Sequence, residues 1–295
     1  MIGGPGILAV DIGGSKLAAG VVTPRGEVML RDRVPTPARD PWPQLAGLIK
    51  RLRAAADDFT LVACGVACGG PMDLLAATVS PLNVPSWKEF ALRDAVADLI
   101  GLPTFLDNGA KAQALAEGWV GSGVGLADFV FVAVGTGVGA GVVADGRLLS
   151  GGAGNAGHIG HVIVEPGGRP CRCGGRGCLE TYLSAPAIEA ETGRGAPFAP
   201  QMIIDRNGQY LGRALASVAA VLDTRTFLVG GVVADAWGEP FLERVRTEFD
   251  ARSRLQFTRD ADIRAARLAG SGALIGADAV ALAQLPPELL MTSPA

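Results

Sequence analysis

The chain has 295 residues, 49% of them hydrophobic and 19% charged, with 42 glycines; this excludes a disordered chain and allows two domains or one large α/β unit rich in buried strands and tight turns. A formal net charge of −3 without any block of like charge excludes the electrostatic footprint of a nucleic-acid binder and a membrane-surface helix. The opening MIGGPGILAVDIGG lacks a basic stretch, apolar core and small-residue cleavage site in succession, so a cytoplasmic protein without a signal peptide is expected.

From Ile7, ILAVDIGGSKLAAGVVTPRGEVMLRDRVPTP alternates apolar runs with Gly and Pro-Arg-Gly turns, which predicts three short strands joined as hairpins. WPQLAGLIKRLRAAADDF has apolar residues at helical spacing, and LVACGVACGGPMD is a strand running into a Gly-Pro turn, with Cys64 and Cys68 read as core residues. EFALRDAVADLIG, PTFLD and GAKAQALAEGWVG continue as helix, strand, helix. The most apolar run, FVFVAVGTGVGAGVV, is too short and too rich in glycine for a membrane span and predicts two buried strands around a turn. Helices around 209–222 and 239–252 flank the strand TFLVGG, and DIRAARL leads to a last helix from Gly272. A βββαβαβα plan therefore occurs twice, with a Gly-rich hairpin near the start of each copy.

Those hairpins carry chemistry. Asp11-Ile12-Gly13-Gly14-Ser15-Lys16 brings backbone N–H groups, a hydroxyl and an ammonium to one turn, which suits an anion as well as it suits an ordinary hairpin. It is not a Walker loop, because no helix follows and the G-x-x-x-x-G-K spacing is absent. Gly135-Thr136-Gly137-Val138-Gly139 also lies between strands, so its likeness to a dinucleotide fingerprint is superficial. Two such turns at matching places in two half-molecules point to a phosphate clamp, one turn from each side of a cleft. The stretch HIGHVIVEPGGRPCRCGGRGCLE holds both histidines and three of the five cysteines. His161, Cys171, Cys173 and Cys178 are close enough in sequence to close on one tetrahedral ion, for which zinc is the natural candidate, and a site closed by four protein ligands is structural.

Taken together, AVDIGGSKLAAGVV, GVACGGPMD, NVPSW, FVAVGTGVGAGVV, GNAGHIGHVIVEPGG, CRCGGRGCLE and LVGGVVA resemble the ROK family of sugar kinases and related proteins over nearly the whole chain. The C-x-C-G-x-x-G-C-x-E pattern after a Gly-His pair is the specific part; any single glycine turn is weak. The resemblance implies the α/β actin/hexokinase-like (ribonuclease H-like) two-domain fold. Its N-terminal lobe would span 1–116, joined by a helix at 272–285, and its other lobe 117–271, with a zinc-binding insert at 150–180. It implies ATP and Mg²⁺ at Asp11, Gly13, Gly14, Ser15, Lys16, Gly135, Thr136 and Gly137, with Gly230 and Gly231 beside the adenosine. It implies zinc on His161, Cys171, Cys173 and Cys178, substrate contacts from Asn108, Gly109, His158, His161 and Glu180, and a homodimer or homotetramer. The zinc would cross-link a Gly-rich insert and present Glu180 to the sugar.

Two segments depart from the family pattern. The segment matching DNGAKAQALAE begins Glu-Asn-Asp-Ala-Asn in the family, whose aspartate takes the proton from the sugar hydroxyl; here that position is Gly109, and Lys111 replaces the second Asn. The downstream Ala-Leu-Ala-Glu ending at Glu117 keeps the register, which makes Asp107 a poor substitute base and allows it to be a solvated loop carboxylate. His158 stands where the family has the Glu of Glu-x-Gly-His, exchanging an acceptor for a group that donates, accepts or shuttles a proton. His158 is thus a substitute base, a substrate contact or a second-shell histidine, and Glu180 is a site residue or a helix cap. The expected activity is ATP-dependent phosphorylation of a hydroxyl of a hexose, amino sugar or cyclitol. The alternative is a sugar-binding or regulatory protein impaired by the missing base. A repressor would need a DNA-binding helix-turn-helix ahead of the first strand, and none is expected.

Overall fold

A computed structural model of the chain describes residues 3–75 and 77–286. The opening hairpins are β1 (Gly3–Ile12), β2 (Lys16–Val22) and β3 (Val28–Pro35). β2 is apolar and buried almost throughout because both its faces are covered, Leu17, Ala19 and Val21 in one core and Ala18 and Val22 in another, whereas β3 alternates half-buried with exposed residues, as an edge strand packed on one face must. α1 (Trp42–Ala54) buries Leu45, Leu48, Ile49 and Leu52, one stripe at three- and four-residue spacing. β4 (Phe59–Cys68) follows, then a small hairpin of β5 (Met72–Asp73) and β6 (Thr78–Val79) that the sequence did not announce. α2 (Leu92–Ile100) buries Leu92, Val96 and Ile100 and stops at Gly101, whose φ of 67° is the left-handed helix ending that glycine permits. β7 (Thr104–Asn108) and α3 (Gly109–Val120) complete the first series.

The second series runs β8 (Phe129–Val134), β9 (Val138–Ala144), β10 (Arg147–Leu148), α4 (Glu180–Leu183), α5 (Ala185–Thr192), α6 (Gln201–Leu222), β11 (Thr226–Gly230), α7 (Val232–Arg252), β12 (Asp262–Ala265) and α8 (Gly272–Leu282). The two five-stranded sheets have orders β3-β2-β1-β4-β7 and β10-β9-β8-β11-β12. These are the same order, antiparallel at the hairpin end and parallel at the other, so the duplicated plan is present in the fold.

α6 and α7 begin earlier than their apolar spacing suggests. In α6 the glycines that weaken the sequence signal are where α7 comes close: a Cβ on Gly208 would lie 2.8 Å from the Arg244 side chain, and one on Gly212 2.7 Å from the Val245 carbonyl oxygen. In α7 the Gly-Glu-Pro at 238–240 reads as a breaker, and the chain does leave helical geometry at Gly238, with φ 60° and ψ −148°, before resuming.

The chain divides into two compact units, one of residues 1–120, 150–155 and 271–295, the other of residues 121–149 and 156–270. In the first, α8 lies against β4 and α3 so closely that a Cβ on Gly65 would sit 1.7 Å from the Ala277 carbonyl oxygen, and one on Gly276 2.6 Å from the Ala112 backbone. The surrounding small core of Ala9, Ala18, Ala67, Ala112 and Ala277 makes that approach possible. α8 also carries a misfit. Asp278 is 0% exposed, and neither carboxylate oxygen has a hydrogen-bond partner among the described residues. Burial pushes its carboxyl from 3.8 up to about 8. Across that window the unfolded chain gives up the proton and the folded chain keeps it, so stability falls as pH rises, by up to roughly 1.4 kcal/mol per pH unit. Asp278→Ala is expected to melt higher than the wild type near neutral and alkaline pH and to flatten this slope. Thermal melts from acid to alkaline pH with equal slopes for both proteins would contradict it.

Candidate functional site

In the first unit three parallel strands end level with one another. Backbone pairing aligns Asp11 with Ala67 and Ala67 with Asp107, so Gly13, Gly69 and Gly109 follow the carboxyl ends of β1, β4 and β7 on one edge of the sheet. That edge is where open α/β sheets bind ligands. The β1–β2 turn is closed by the Gly13 N–H donating to the Lys16 carbonyl at 2.9 Å and braced by the Thr36 hydroxyl donating to the Gly13 carbonyl at 2.7 Å. The Asp11 carboxyl at its base is pushed up by burial to about 6, with the Lys16 ammonium pulling it back.

At the end of β7, Asn108 caps α3 by accepting the Ala110 N–H at 2.9 Å on its side-chain oxygen, which leaves its amide nitrogen to donate elsewhere. Gly109 is the first residue of α3, and a Cβ built there meets nothing nearer than the Cys68 carbonyl oxygen at 3.9 Å, an ordinary contact. Asp107 is not a solvated loop carboxylate: it is 7% exposed and bound by the Lys111 ammonium at 2.7 Å, with the Asn108 N–H on the same oxygen. Burial raises its carboxyl above the ordinary range, opposed first by the charge of Lys111. Lys111 itself is fully buried and also donates to the Gly154 carbonyl at 3.2 Å. Sequence reasoning gave Lys111 no role: Asp107 lies near the end of a strand and Lys111 in the helix that follows, so the pair is not one that helical spacing announces, and only the alanines around Lys111 hint at its burial.

In the second unit, Ala133 of β8 pairs with Gly230 of β11 and with Gly139 of β9, which brings Gly135, Thr136, Gly137, Gly230 and Gly231 to one end of that sheet. Gly231 has φ 101° and caps α7, where a Cβ would lie 2.5 Å from the Val134 carbonyl oxygen, so only glycine fits. The turn is cross-braced by the Gly135 N–H to the Gly137 carbonyl at 2.9 Å and the Ala185 N–H to the Gly135 carbonyl at 2.8 Å. Glu180 does not cap its own helix; one of its carboxylate oxygens accepts the Val138 N–H at 2.8 Å. This link between the cysteine-rich turn and the glycine turn has no signature in the sequence, since its partners are 42 residues apart.

His161, Cys171, Cys173 and Cys178 converge with their ligand atoms all within 4.8 Å of one another. Cys171 Sγ lies 3.6 Å from His161 Nδ1 and Cys173 Sγ 3.8 Å from Cys178 Sγ. A tetrahedral ion with bonds of about 2.3 Å to sulfur has ligand edges of about 3.8 Å, so the residues fit a metal of the zinc type. His158 is half-buried and stacks on His161 with ring centroids 5.8 Å apart. The insert is also anchored away from the cysteines: Glu165 accepts the Tyr210 hydroxyl at 3.0 Å, and Arg169 pairs with Glu191 at 3.0 Å and lies over the Tyr182 ring. Two arginines hold the Glu191 carboxyl down at about 2, so this anchor persists across the working pH range.

Cys64 and Cys68 are buried core residues, as expected. No helix among the described residues is long and apolar enough to cross a membrane. The sequence model of the ROK family matches residues 7–284. An N-acetylmannosamine kinase of Escherichia fergusonii is 37% identical over 78% of this chain and 84% of its own length. A glucokinase of Halalkalibacterium halodurans is 29% identical over 91% of this chain and 92% of its own. The crystal structure of a ROK family glucokinase from Streptomyces griseus, in complex with glucose and AMPPNP, superposes with a TM-score of 0.78 at 29% identity, covering 92% of this chain and 97% of that one.

Proposed function

The chain belongs to the ROK family, and on that footing we propose that it is a sugar kinase, transferring the γ-phosphoryl group of ATP to a hydroxyl of a hexose, an N-acetylated or free amino sugar, or a cyclitol. The attacking hydroxyl oxygen bonds to phosphorus, the bond to the ADP oxygen breaks, and the hydroxyl proton leaves to a base or to water. Such transfer depends chiefly on positioning and charge stabilisation. The observation that carries the reading is the convergence in the second unit of Gly135–Gly137, Gly230–Gly231 and the lock of Glu180 on Val138. N-acetylated amino sugars and hexoses are the first substrates to test, because the curated relatives are an N-acetylmannosamine kinase and a glucokinase. An ADP-release screen over hexoses, amino sugars, N-acetyl sugars and cyclitols decides; no turnover with any of them, at saturating Mg·ATP, would sink the reading.

The roles follow. Backbone N–H groups of Gly13, Gly14, Gly135 and Gly137, with Ser15, Lys16 and Thr136, hold the phosphates and Mg²⁺, and Asp11 orients the ion through its carboxylate. Asn108, His158, His161 and Glu180 contact the sugar. His161, Cys171, Cys173 and Cys178 hold a zinc ion whose contribution is to cross-link the insert; three thiolates against a divalent ion leave a net negative charge, unsuited to polarising a phosphoryl group. A homodimer or homotetramer is the assembly proposed. Gly109 favours one second reading, a sugar-binding protein with residual turnover.

Asp11 sets a pH dependence. Its folded carboxyl titrates at about 6, above the ordinary 3.8, so it is neutral below about pH 6 and available to Mg²⁺ above it. Calorimetric titration with Mg·ATP should show affinity falling as pH drops through about 6, and Asp11→Asn should bind weakly with this step removed. The nucleotide's own protonation is common to both proteins, so an identical pH profile in the variant would contradict the role.

A further inference from the structure

We infer that Lys111 is a positioning residue, a buried ammonium that clasps the 150–155 segment to the end of β7 and so shapes the sugar-facing edge of the first unit; the sugar half of this inference rests on the kinase reading above. A lysine with no exposed surface is uncommon and is tolerated only when its charge is matched and its donors are used. Asp107, near the end of β7, supplies the matching charge at 2.7 Å. The carbonyl of Gly154, at 3.2 Å, is 43 residues away and belongs to a segment flanked on both sides by residues of the second unit.

That segment reads Ser-Gly-Gly-Ala-Gly-Asn, and three glycines in six residues give it little order of its own. It is held by side chains instead. Asn155 takes the Met72 N–H on its oxygen at 2.9 Å and donates to the Met72 carbonyl at 2.7 Å, pinning the segment to β5. Gly154 packs on Leu74 so tightly that a Cβ would lie 2.5 Å from that side chain. Both contacts tie the segment to the β5–β6 hairpin. Lys111 is the one that reaches the junction of β7 and α3, where Asn108 and Gly109 lie. An apolar side chain of the same length would fill the space without gripping the Gly154 carbonyl.

The test replaces the ion pair as a unit, because removing Lys111 alone would strand a buried carboxylate and confound folding with positioning. Asp107→Asn/Lys111→Met keeps the volume and abolishes the grip; Asp107→Asn/Lys111→Gln keeps a donor facing Gly154, one bond shorter than the ammonium. In the Met variant, amide hydrogen exchange should rise across 150–155 and the sugar KM should rise, with kcat/KM for the sugar falling by about 10²-fold, the scale expected of a misplacement near 1 Å. The ATP KM should stay unchanged, and the Gln variant should recover part of both effects. Loss of a proton acceptor at Asp107 would instead lower kcat without raising the sugar KM. Unchanged exchange and unchanged sugar KM in folded variants overturn the inference. If the wild type phosphorylates no sugar, the kinase reading fails, and exchange across 150–155 still decides whether Lys111 is the clasp.

Discussion

Gly109→Asp is expected to raise turnover on a hexose or N-acetylhexosamine by about 10²–10⁴-fold, the usual contribution of a positioned general base. The structure makes the substitution feasible. Gly109 opens α3 in ordinary helical geometry, its missing Cβ would touch nothing closer than 3.9 Å, and a carboxylate in the first turn of a helix is favoured by the helix dipole. Asp107 is no ready replacement, since it is buried and its charge is already matched by the Lys111 ammonium. If His158 instead removes the proton, wild-type turnover should climb with pH as the imidazole becomes neutral, and His158→Ala should lose both the activity and that climb. Gly109→Asp would then add little. A variant that folds, binds sugar and turns over no faster, beside a flat pH profile in the wild type, would leave proton removal to solvent and remove both assignments.

Zinc removal is expected to weaken sugar binding by about 10–100-fold, the range typical of disturbing the supports of a site, while ATP affinity changes far less. Glu180 begins α4 two residues after Cys178, and His161 ends the turn that carries His158, so the groups proposed to face the sugar hang directly from the proposed ligands. The glycine turns stand on the β8–β11 pairing and do not depend on the cysteines. The loosening should also be local. Glu165 and Arg169 are fixed to Tyr210, Glu191 and Tyr182 without any metal, so amide exchange after chelation should rise between Pro170 and Cys178 and remain low before Arg169. Cys178→Ser should reproduce the effect without a chelator. Elemental analysis of protein purified without chelator should find about one zinc per chain; its absence would sink the assignment.

Sequence patterning revealed what repeats or alternates. The hairpins of β1–β3 and β8–β9 were legible because buried strands alternate with glycine turns, and with the helices and strands after them they showed one succession of elements occurring twice; that the strands also take the same order in both sheets came from the structure. The four-ligand cluster was legible because its spacing is short. α6 and α7 were shortened because Gly208, Gly212 and Gly238 serve helix contacts and a kink, and nothing local distinguishes that use from a breaker. The Glu180–Val138 link and the Lys111–Gly154 clasp were hidden for a different reason: each joins residues more than 40 positions apart, where periodicity carries no information. Asp278 was invisible for the opposite reason, since burial of a carboxyl is a property of its surroundings and not of its neighbours in the chain.

The seat of α8 on β4 and α3 has a consequence for synthesis on the ribosome. The first unit cannot be completed when residue 120 is made, because Leu274, Ala277 and Val280, which cover Ala9, Ala67 and Ala112, are encoded after the entire second unit. At about 5–20 residues per second, translation takes on the order of ten seconds to travel from α3 to α8. During that interval the amino-terminal sheet emerges with one face bare, and the second unit, begun later, has its own core residues out first. The amino-terminal part therefore cannot complete its fold ahead of the rest, and its nascent sheet is the surface left open to wrong contacts in the meantime.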